Sequence, residues 1–267
     1  MRKLWGKKAT VIGLWLAVVS VFAIYTATFG VMQPRIQRGV HLLFLLPMAF
    51  ILFPATKRSA TDRIPLYDWI LAFLALLPPL YLMMNNDALS MRLQFVDPLA
   101  PLEVWLGGLN ILLLLEAIRR AVVPAMAILI VVFISYLYAA PYLGGVFFAK
   151  PLPLSELIEM QYLITDTGIY GSITGISATF VALFVIFGAF MESTKTGKFF
   201  TDLACRLAGK SRGGPAKVAV ISSSFFGSIS GVAAANVYAT GTFTIPMMKR
   251  LGFRPQFAGA VEAVSSS

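Results

Sequence analysis

The sequence predicts an all-α integral membrane protein with about six transmembrane helices, a re-entrant helical hairpin and the start of a further membrane segment. Of the 267 residues, 58% are hydrophobic and only 13% are charged, whereas about a quarter of the residues of a soluble domain are charged. A water-soluble fold needs more polar surface than this composition supplies. Apolar runs of about 20 residues, the length at which a helix crosses a bilayer, recur along the chain.

Six runs are long and apolar enough to be membrane spans. They cover residues 11–32, 37–55, 66–84, 99–118, 121–141 and 169–191. The first run follows a basic N-terminus, as the core of a signal peptide would. It is longer than the roughly 7–15 residues of such a core, and no small-residue cleavage motif ends it. We therefore interpret it as a retained span.

The basic residues predict the orientation of the chain. The net charge of +10 comes from short clusters between the apolar runs, which favours a membrane protein over a nucleic-acid-binding protein. If the N-terminus lies inside, 18 of the 22 Lys and Arg residues fall in inside segments. The positive-inside rule thus predicts that the N-terminus and residues 192–217 are cytoplasmic, and that residues 85–98 and 142–168 lie outside. Arg35 and Arg38 are local exceptions.

Several kinds of chemistry are excluded by residue type. A single cysteine, Cys205, and a single histidine, His41, rule out an intrachain disulfide, a four-cysteine zinc site and histidine-based catalysis. Gly209-Lys210-Ser211 is not a phosphate-binding loop, since Ala204 stands where that loop requires glycine. We therefore predict that the protein is neither an enzyme nor an ATP-driven pump, and that it has no cofactor.

Residues 213–248 predict the re-entrant hairpin. They lie between two basic inside clusters, so an odd number of crossings would break the orientation, and they are too few for two full spans. Small and polar residues crowd their middle, where a lipid-facing helix would carry Leu and Ile. We expect this segment to enter from the cytoplasm, turn around Ser228–Gly231 and return, because broken helices at that depth line buried or wet cavities.

The predicted hairpin tip runs from Gly227 to Gly231 and contains two serines. A helix break there frees carbonyls that suit Na⁺ and N–H groups that suit an anion. The spacing of the two glycines also fits a small-residue packing face between helices. Asn236, on the returning arm, either bridges the two arms or lines the site, because a polar side chain in the membrane needs partners.

Glu262 is the acid that the sequence singles out. It shares a helix face with Gly259 and Ser266, and an acid within the membrane is a functional candidate by default. The alternative is an acid at the interface that pairs with Arg254. The candidate ion- and substrate-binding residues are Gly227, Ser228, Ser230, Gly231, Asn236, Thr240, Gly241 and Glu262. The expected Na⁺ ligands among them are Ser228, Ser230 and Gly231.

Residues 225–267 place the small-residue tip before the run Thr244-Ile-Pro-Met-Met-Lys-Arg250 and then Phe257-Ala-Gly-Ala-Val-Glu-Ala263. In this order of features the chain, from about residue 169, resembles the large permease subunit of TRAP transporters, in the fused form that works with TAXI-type binding proteins. Residues 1–120, with four spans, resemble the small permease subunit in layout. The predicted domains are therefore 1–120 and 121–267, the second being an incomplete transport domain.

The resemblance implies an ion-coupled importer of small organic acids in the bacterial inner membrane, with Na⁺ as the coupling ion. It also implies a periplasmic TAXI-type substrate-binding protein as partner, and an ion site at the first hairpin tip. Because the family continues beyond the position matching Ser267, we expect a fragment of a longer permease or the product of an interrupted gene. Two alternatives stay open: a related secondary carrier without a binding protein, and a non-transporting membrane assembly subunit.

Overall fold

The computed structural model describes residues 2, 6–56, 59, 63–194, 196–230 and 233–267, and the regular structure in these residues is entirely helical. The α-helices are α1 Lys7–Phe29, α2 Pro34–Leu52, α3 Leu66–Leu74, α4 Leu77–Met84, α5 Asn86–Ser90, α6 Pro101–Ala121, α7 Pro124–Ala139, α8 Leu154–Ile158, α9 Ser172–Ile176, α10 Ala182–Ser193, α11 Thr196–Ala208, α12 Gly214–Ser230, α13 Ala233–Arg250 and α14 Pro255–Ser265. Single π-helical turns cover Glu159–Leu163 and Ser177–Val181. The predicted all-α fold class is confirmed.

Six helical segments of the described chain are long and apolar enough to cross a membrane, as predicted. They are Ala9–Phe29, Pro34–Leu52, Leu66–Met84, Pro101–Ala121, Pro124–Tyr142 and Ser172–Phe190. Their ends differ from the predicted ends by up to three residues, and proline explains three of the shifted starts. Pro34, Pro101 and Pro124 each occupy the first helical turn, where the missing N–H needs no partner. Backbone chemistry, rather than hydropathy, sets these ends.

The chain divides into two compact units, Met1–Ala178 and Thr179–Ser267. In the first unit α2 packs against α1, α3, α4 and α6. Glycines allow close approach at two of the contacts of this unit. A Cβ on Gly39 would lie 2.7 Å from Cγ of Met83, and one on Gly107 would lie 2.5 Å from Cγ2 of Ile158. Small residues at contacts are how helices associate where lipid removes the hydrophobic driving force.

One end of the first unit is held by a buried ion-pair cluster around Asp68. The carboxylate of Asp68 accepts hydrogen bonds from Arg2, and from Nη1 of Arg120 at 2.6 Å, and the side chains of Arg2 and Asp68 are fully buried. Arg2 also donates to the carbonyl oxygens of Phe50 and Ile51 at 2.9 Å. Glu116 also pairs with Arg120 at 2.7 Å, one helical turn away on α6. The cluster joins the N-terminus to α2, α3 and α6.

Arg35 and Arg38, which the charge pattern left as exceptions, have backbone partners in the first unit. Arg38 donates to the carbonyl oxygens of Thr165 and Tyr170, the latter at 2.8 Å. Arg35 donates to the carbonyl oxygen of Asn86 at 3.1 Å. Arg38 therefore satisfies carbonyls of the loop before α9, and Arg35 binds the carbonyl oxygen of the first residue of α5.

The second unit contains the predicted hairpin. α12 and α13 pack along each other, α11 packs against both, and α14 packs against α12 and α13. Ala204 and Ala208 of α11 are buried against Val218 of α12. α11 thus provides an apolar face that covers the hairpin.

The first arm of the hairpin is helical further along the chain than predicted. Gly227 and Ser228 belong to the last turns of α12, which is helical through Ser230. The prediction of a break beginning at Gly227 is therefore wrong, while Gly231 lies outside the described residues. Gly227 also packs closely against the other arm, since a Cβ there would lie 3.1 Å from Nδ2 of Asn236. The small-residue packing role that the sequence left open applies to this glycine.

Cys205 offers a test of the predicted orientation. Its half-buried thiol lies 3.8 Å from the sulfur of Met247. Burial, and secondarily the charge of Asp202, raises the pKa of the Cys205 thiol above its ordinary value. The reactive thiolate is therefore scarce at neutral pH, and its fraction grows as the pH rises.

We expect a membrane-impermeant maleimide to label Cys205 in inside-out vesicles but not in spheroplasts, and to label it faster at higher pH. A Cys205→Ser variant gives the background signal of each preparation. Labelling of Cys205 in intact spheroplasts would contradict a cytoplasmic location of residues 192–217.

Candidate functional site

A cluster of hydroxyl groups surrounds the carboxyl group of Glu262 in the second unit. We call this cluster the hydroxyl cage. Its members come from α12, α13 and α14, and they are Ser223, Thr240, Thr244, Ser266 and Glu262 itself, all buried. Thr240 and Thr244 hydrogen bond to Oε1 and Oε2 of Glu262, respectively. Ser223 and Ser266 each lie 3.2 Å from Oε1.

Helical spacing brings these side chains together. Thr240 and Thr244 are four residues apart on α13, and Ser266, the C-cap residue of α14, follows Glu262 by four residues, so each pair lies on one side of its helix. Ser223 of α12 faces both helices, with its oxygen 3.1 Å from that of Thr240 and 3.2 Å from that of Ser266. Three helices therefore each present a hydroxyl-bearing face to one carboxyl group.

Gly241 makes room for the carboxyl side chain. A Cβ on this buried residue would lie 3.2 Å from Cγ of Glu262 and 3.3 Å from Cδ1 of Ile245. A contact this short is tighter than ordinary van der Waals packing, so a side chain at residue 241 would displace Glu262 or separate α13 from α14. The absence of a side chain at Gly241 thus leaves the space that the side chain of Glu262 occupies.

Asn236 bridges the two arms of the hairpin. Its Nδ2 donates to the carbonyl oxygen of Ser223 at 3.0 Å, and its side chain is buried. Within the described chain, its Oδ1 atom is buried and has no hydrogen-bond partner. Asn236 therefore bridges the two arms, which is the first of its two predicted roles. Its Oδ1 atom can still accept a hydrogen bond or coordinate an ion, as the second role, lining the site, requires. A buried acceptor of this kind carries a desolvation cost until something donates to it or coordinates it.

Of the predicted tip residues, Ser228 stands apart from the hydroxyl cage. The hydroxyl of Ser228 is exposed and donates to the carbonyl oxygen of Phe225 at 2.8 Å. Ser230 is the last residue of α12, and Gly231 lies outside the described residues. The candidate residues that the structure brings around Glu262 are therefore Thr240 and Gly241, with Asn236 one helical turn from Thr240.

Glu262 is not an interfacial acid paired with Arg254, so this alternative is wrong. Its side chain is 0% exposed, and both carboxyl oxygens lie against hydroxyl groups. Salt bridges found in the described residues involve Asp68, Glu103, Glu116 and Glu159, all of them in the first unit. Burying an ionised carboxylate at such a position costs free energy, which hydrogen bonds or a bound cation can offset.

Sequence reasoning missed Thr244 and did not select Ser223 or Ser266 as site residues. A signal was present, because Asn236, Thr240 and Thr244 recur every four residues on α13 and so define one polar helix face. Ser266 has the same relation to Glu262 on α14. Ser223 could not be separated from its neighbours Ser222 and Ser224, since only the packing of α12 decides which serine points inward.

A family model and one named relative both point to the TRAP transporters. The model of the family described as "Tripartite ATP-independent periplasmic transporter, DctM component" matches residues 109–267. A relative from Haemophilus influenzae, whose printed name is that of a TRAP transporter large permease protein, is 34% identical over 73 residues, 27% of this chain and 17% of that protein. No solved structure gives a significant match.

Two further relatives carry names without a function. The y4mL protein of Sinorhizobium fredii is 32% identical over 122 residues, 46% of this chain and 27% of that protein. The YgiK protein of Salmonella typhimurium is 28% identical over 92 residues, 34% of this chain and 21% of that protein. In all three comparisons the chain spans less than a third of the relative's length.

The family match begins inside α6 and covers the whole of the second unit, including the hairpin, Glu262 and the hydroxyl cage. It therefore embraces more than half of the chain. This multi-spanning, helical chain belongs to the family of the DctM component of the tripartite ATP-independent periplasmic transporters, the large permease of the TRAP system.

Proposed function

We propose that the protein is the membrane permease component of an ion-coupled importer of small organic acids. In this proposal it resides in the bacterial inner membrane, with its N-terminus in the cytoplasm, and receives its substrate from a soluble periplasmic binding protein of the TAXI type. The observation that carries the proposal is the fully buried carboxyl group of Glu262 inside the hydroxyl cage. Intramembrane acids of transporters commonly mark ion pathways.

The hydrogen-bonding capacity of the cage supports a site that gains and loses a cation. Thr240 Oγ1 lies near both Glu262 Oε1 and the carbonyl oxygen of Asn236, the latter at 2.8 Å, yet it has one hydrogen to donate. Thr244 has the same choice between Glu262 and the carbonyl oxygen of Thr240, at 3.0 Å. When these hydroxyls donate to the backbone carbonyls, their lone pairs and the carboxylate face inward and can receive a positive ion.

The ligand set suits Na⁺, our proposed coupling ion. The groups are oxygens only, comprising a carboxylate and neutral hydroxyls, and hard cations prefer such ligands. Asn236 would add its unpartnered Oδ1 atom if the ion bound on its side of the cage. At the hairpin tip, Ser228, Ser230 and Gly231 remain proposed Na⁺ ligands. Glu262 supplies the only formal negative charge among the residues that we assign to the site.

For the substrate, the organic acid class rests on the family resemblance and on the start of α13. This helix begins at Ala233, directly after the tip. The N–H groups of its first turn and the positive end of its dipole suit a carboxylate. An intervening cation between Glu262 and the substrate would lessen the repulsion between two carboxylates.

The proposed docking surface for the binding protein uses the outer loops. Asp87, Asp97 and Asp166 are exposed there. Glu159, which also belongs to the predicted outer segment, is buried beside Arg92 and does not contribute to an acidic surface. Exposed acids of this kind guide a basic partner and raise its association rate.

The decisive experiment measures uptake by the permease, expressed from its whole reading frame and reconstituted in vesicles. We expect uptake to require both the binding protein and an inward Na⁺ gradient, and a Na⁺ ionophore should abolish it. Heat-denatured binding protein serves as the matched control. Normal uptake without any binding protein would instead favour the related secondary carrier, and no uptake under any gradient would favour the assembly subunit.

A further inference from the structure

Two loops of the first unit expose apolar side chains, and the one charged residue that they contain, Arg92, is turned inward. The first loop, residues 91–96, exposes Met91, Leu93, Phe95 and Val96. The second loop, residues 142–148, exposes Tyr142, Val146, Phe147 and Phe148. Met91 is 87% exposed and Val146 is 92% exposed. A loop surrounded by water ordinarily has the opposite arrangement, with its charges outside.

The first loop is held in place by contacts with a buried cluster of charged side chains. Arg92 pairs with Glu103 at 3.1 Å and approaches Glu159 at 3.8 Å, and these side chains are almost fully buried. Nη2 of Arg92 also donates to the carbonyl oxygen of Asp97 at 2.6 Å. The Phe95 N–H donates to Oε1 of Glu159 at 3.0 Å.

The backbone at Phe95 is strained by this arrangement. Its φ of 59° is the one positive value at a non-glycine residue in the described chain, and a left-handed conformation is unfavourable for an aromatic residue. The hydrogen bond to Glu159 and the ion pairs of Arg92 maintain it. As a result, the apolar side chains of the first loop point away from Arg92, Glu103 and Glu159.

The second loop is tied back to the helix that precedes it. The hydroxyl of Tyr136 on α7 donates to the carbonyl oxygen of Phe147 at 3.0 Å. Gly145, with a φ of 65°, makes the turn that this contact needs. The aromatic side chains of the loop therefore stay at the end of α7.

The two loops lie at the same end of the first unit. α6 and α7 are joined by two residues, Val122 and Val123, and pack along each other, so they run in opposite directions. The first loop precedes α6 and the second follows α7. Both loops therefore lie next to the ends of two candidate membrane spans, α6 and α7. The second of these, α7, has no buried residue.

We propose that these loops insert their apolar side chains into the headgroup region of the lipid bilayer and anchor this end of the first unit at the membrane surface. The location of the loops at the ends of membrane spans favours lipid as the partner. A loop between two spans meets the membrane–water boundary, where aromatic side chains are enriched and where apolar side chains can be buried shallowly. Charges would oppose insertion, and Arg92, the one charged residue of the first loop, is turned inward, while the second loop has no charged residue.

The test places an environment-sensitive fluorophore on single cysteines in the whole permease. Val96→Cys and Val146→Cys, each in a Cys205→Ser background, report on the loop tips, and Asp166→Cys provides an exposed polar control. In vesicles of phosphatidylcholine and phosphatidylglycerol without a binding protein, we expect blue-shifted emission at residues 96 and 146. Lipids with a nitroxide near the headgroup should quench these two sites several-fold more than residue 166.

Two outcomes would overturn the anchor. The first is water-like emission at residues 96 and 146 in vesicles. The second is emission that becomes apolar only when a binding protein is added, which would assign the surface to a protein partner. Arg92→Gln provides a further check, because it releases the first loop alone. We expect this variant to weaken quenching at residue 96 and to leave quenching at residue 146 unchanged. An equal loss of quenching at both residues would contradict the proposal that each loop inserts through its own side chains.

Discussion

Replacement of Glu262 by glutamine is expected to weaken binding of the coupling cation roughly tenfold to a hundredfold. An interaction with a charged group contributes about 1.5–3 kcal/mol, and each 1.4 kcal/mol corresponds to about a tenfold change in affinity. Glutamine has nearly the same size, so the packing of α14 beside Gly241 is kept. The measurements are radioactive sodium binding to the purified permease and the Na⁺ concentration that gives half-maximal uptake.

Two serines of α12 provide matched controls for this variant. Ser223→Ala removes one hydroxyl of the cage and should weaken the cation less than Glu262→Gln does. Ser224→Ala removes an exposed hydroxyl that donates to its own helix, to the carbonyl oxygen of Val220, and should leave binding unchanged.

Unaltered Na⁺ binding in a well-expressed Glu262→Gln protein would show that the cage serves packing alone. Uptake that follows a pH gradient and is lost in this variant, with no Na⁺ requirement, would identify the coupling ion as a proton.

The second large effect concerns the stability of the first unit. Asp68→Ala should lower the free energy of unfolding by about 3–5 kcal/mol, the usual result of breaking a buried ion pair by removal of one partner. The change leaves Arg2 buried without an acid and takes one acid from Arg120. Thermal unfolding in detergent, followed by tryptophan fluorescence and by size-exclusion chromatography, measures the loss.

Asp166→Ala is the matched control for this prediction, because it removes an exposed aspartate of the same unit. Exposed substitutions of this kind usually change stability by about 0.5 kcal/mol or less. The double variant Arg2→Met with Asp68→Leu should recover much of the loss, since apolar residues often replace a buried ion pair at little cost. Equal stability of Asp68→Ala and Asp166→Ala would contradict a structural role for the cluster.

The sequence by itself determined the membrane fold and the approximate position of every span. Hydropathy over about 20 residues is a local property, and an isolated helix must satisfy its backbone within the bilayer. The predicted spans therefore agree with the structure to within three residues. The residue types also marked Glu262 and Asn236, because a polar group in an apolar run needs an explanation wherever the chain places it.

Tertiary structure alone decided which residues meet. Ser223 and Glu262 are 39 positions apart, and Arg2 and Asp68 are 66 apart. Such contacts depend on how helix faces pack, and no local pattern encodes the rotation of α12 that turns Ser223 inward and Ser224 outward. For the same reason the sequence placed a break at Gly227, whereas this glycine lies within α12 and packs against Asn236 of the other arm. Local composition set the membrane spans, and packing between distant helices made the site.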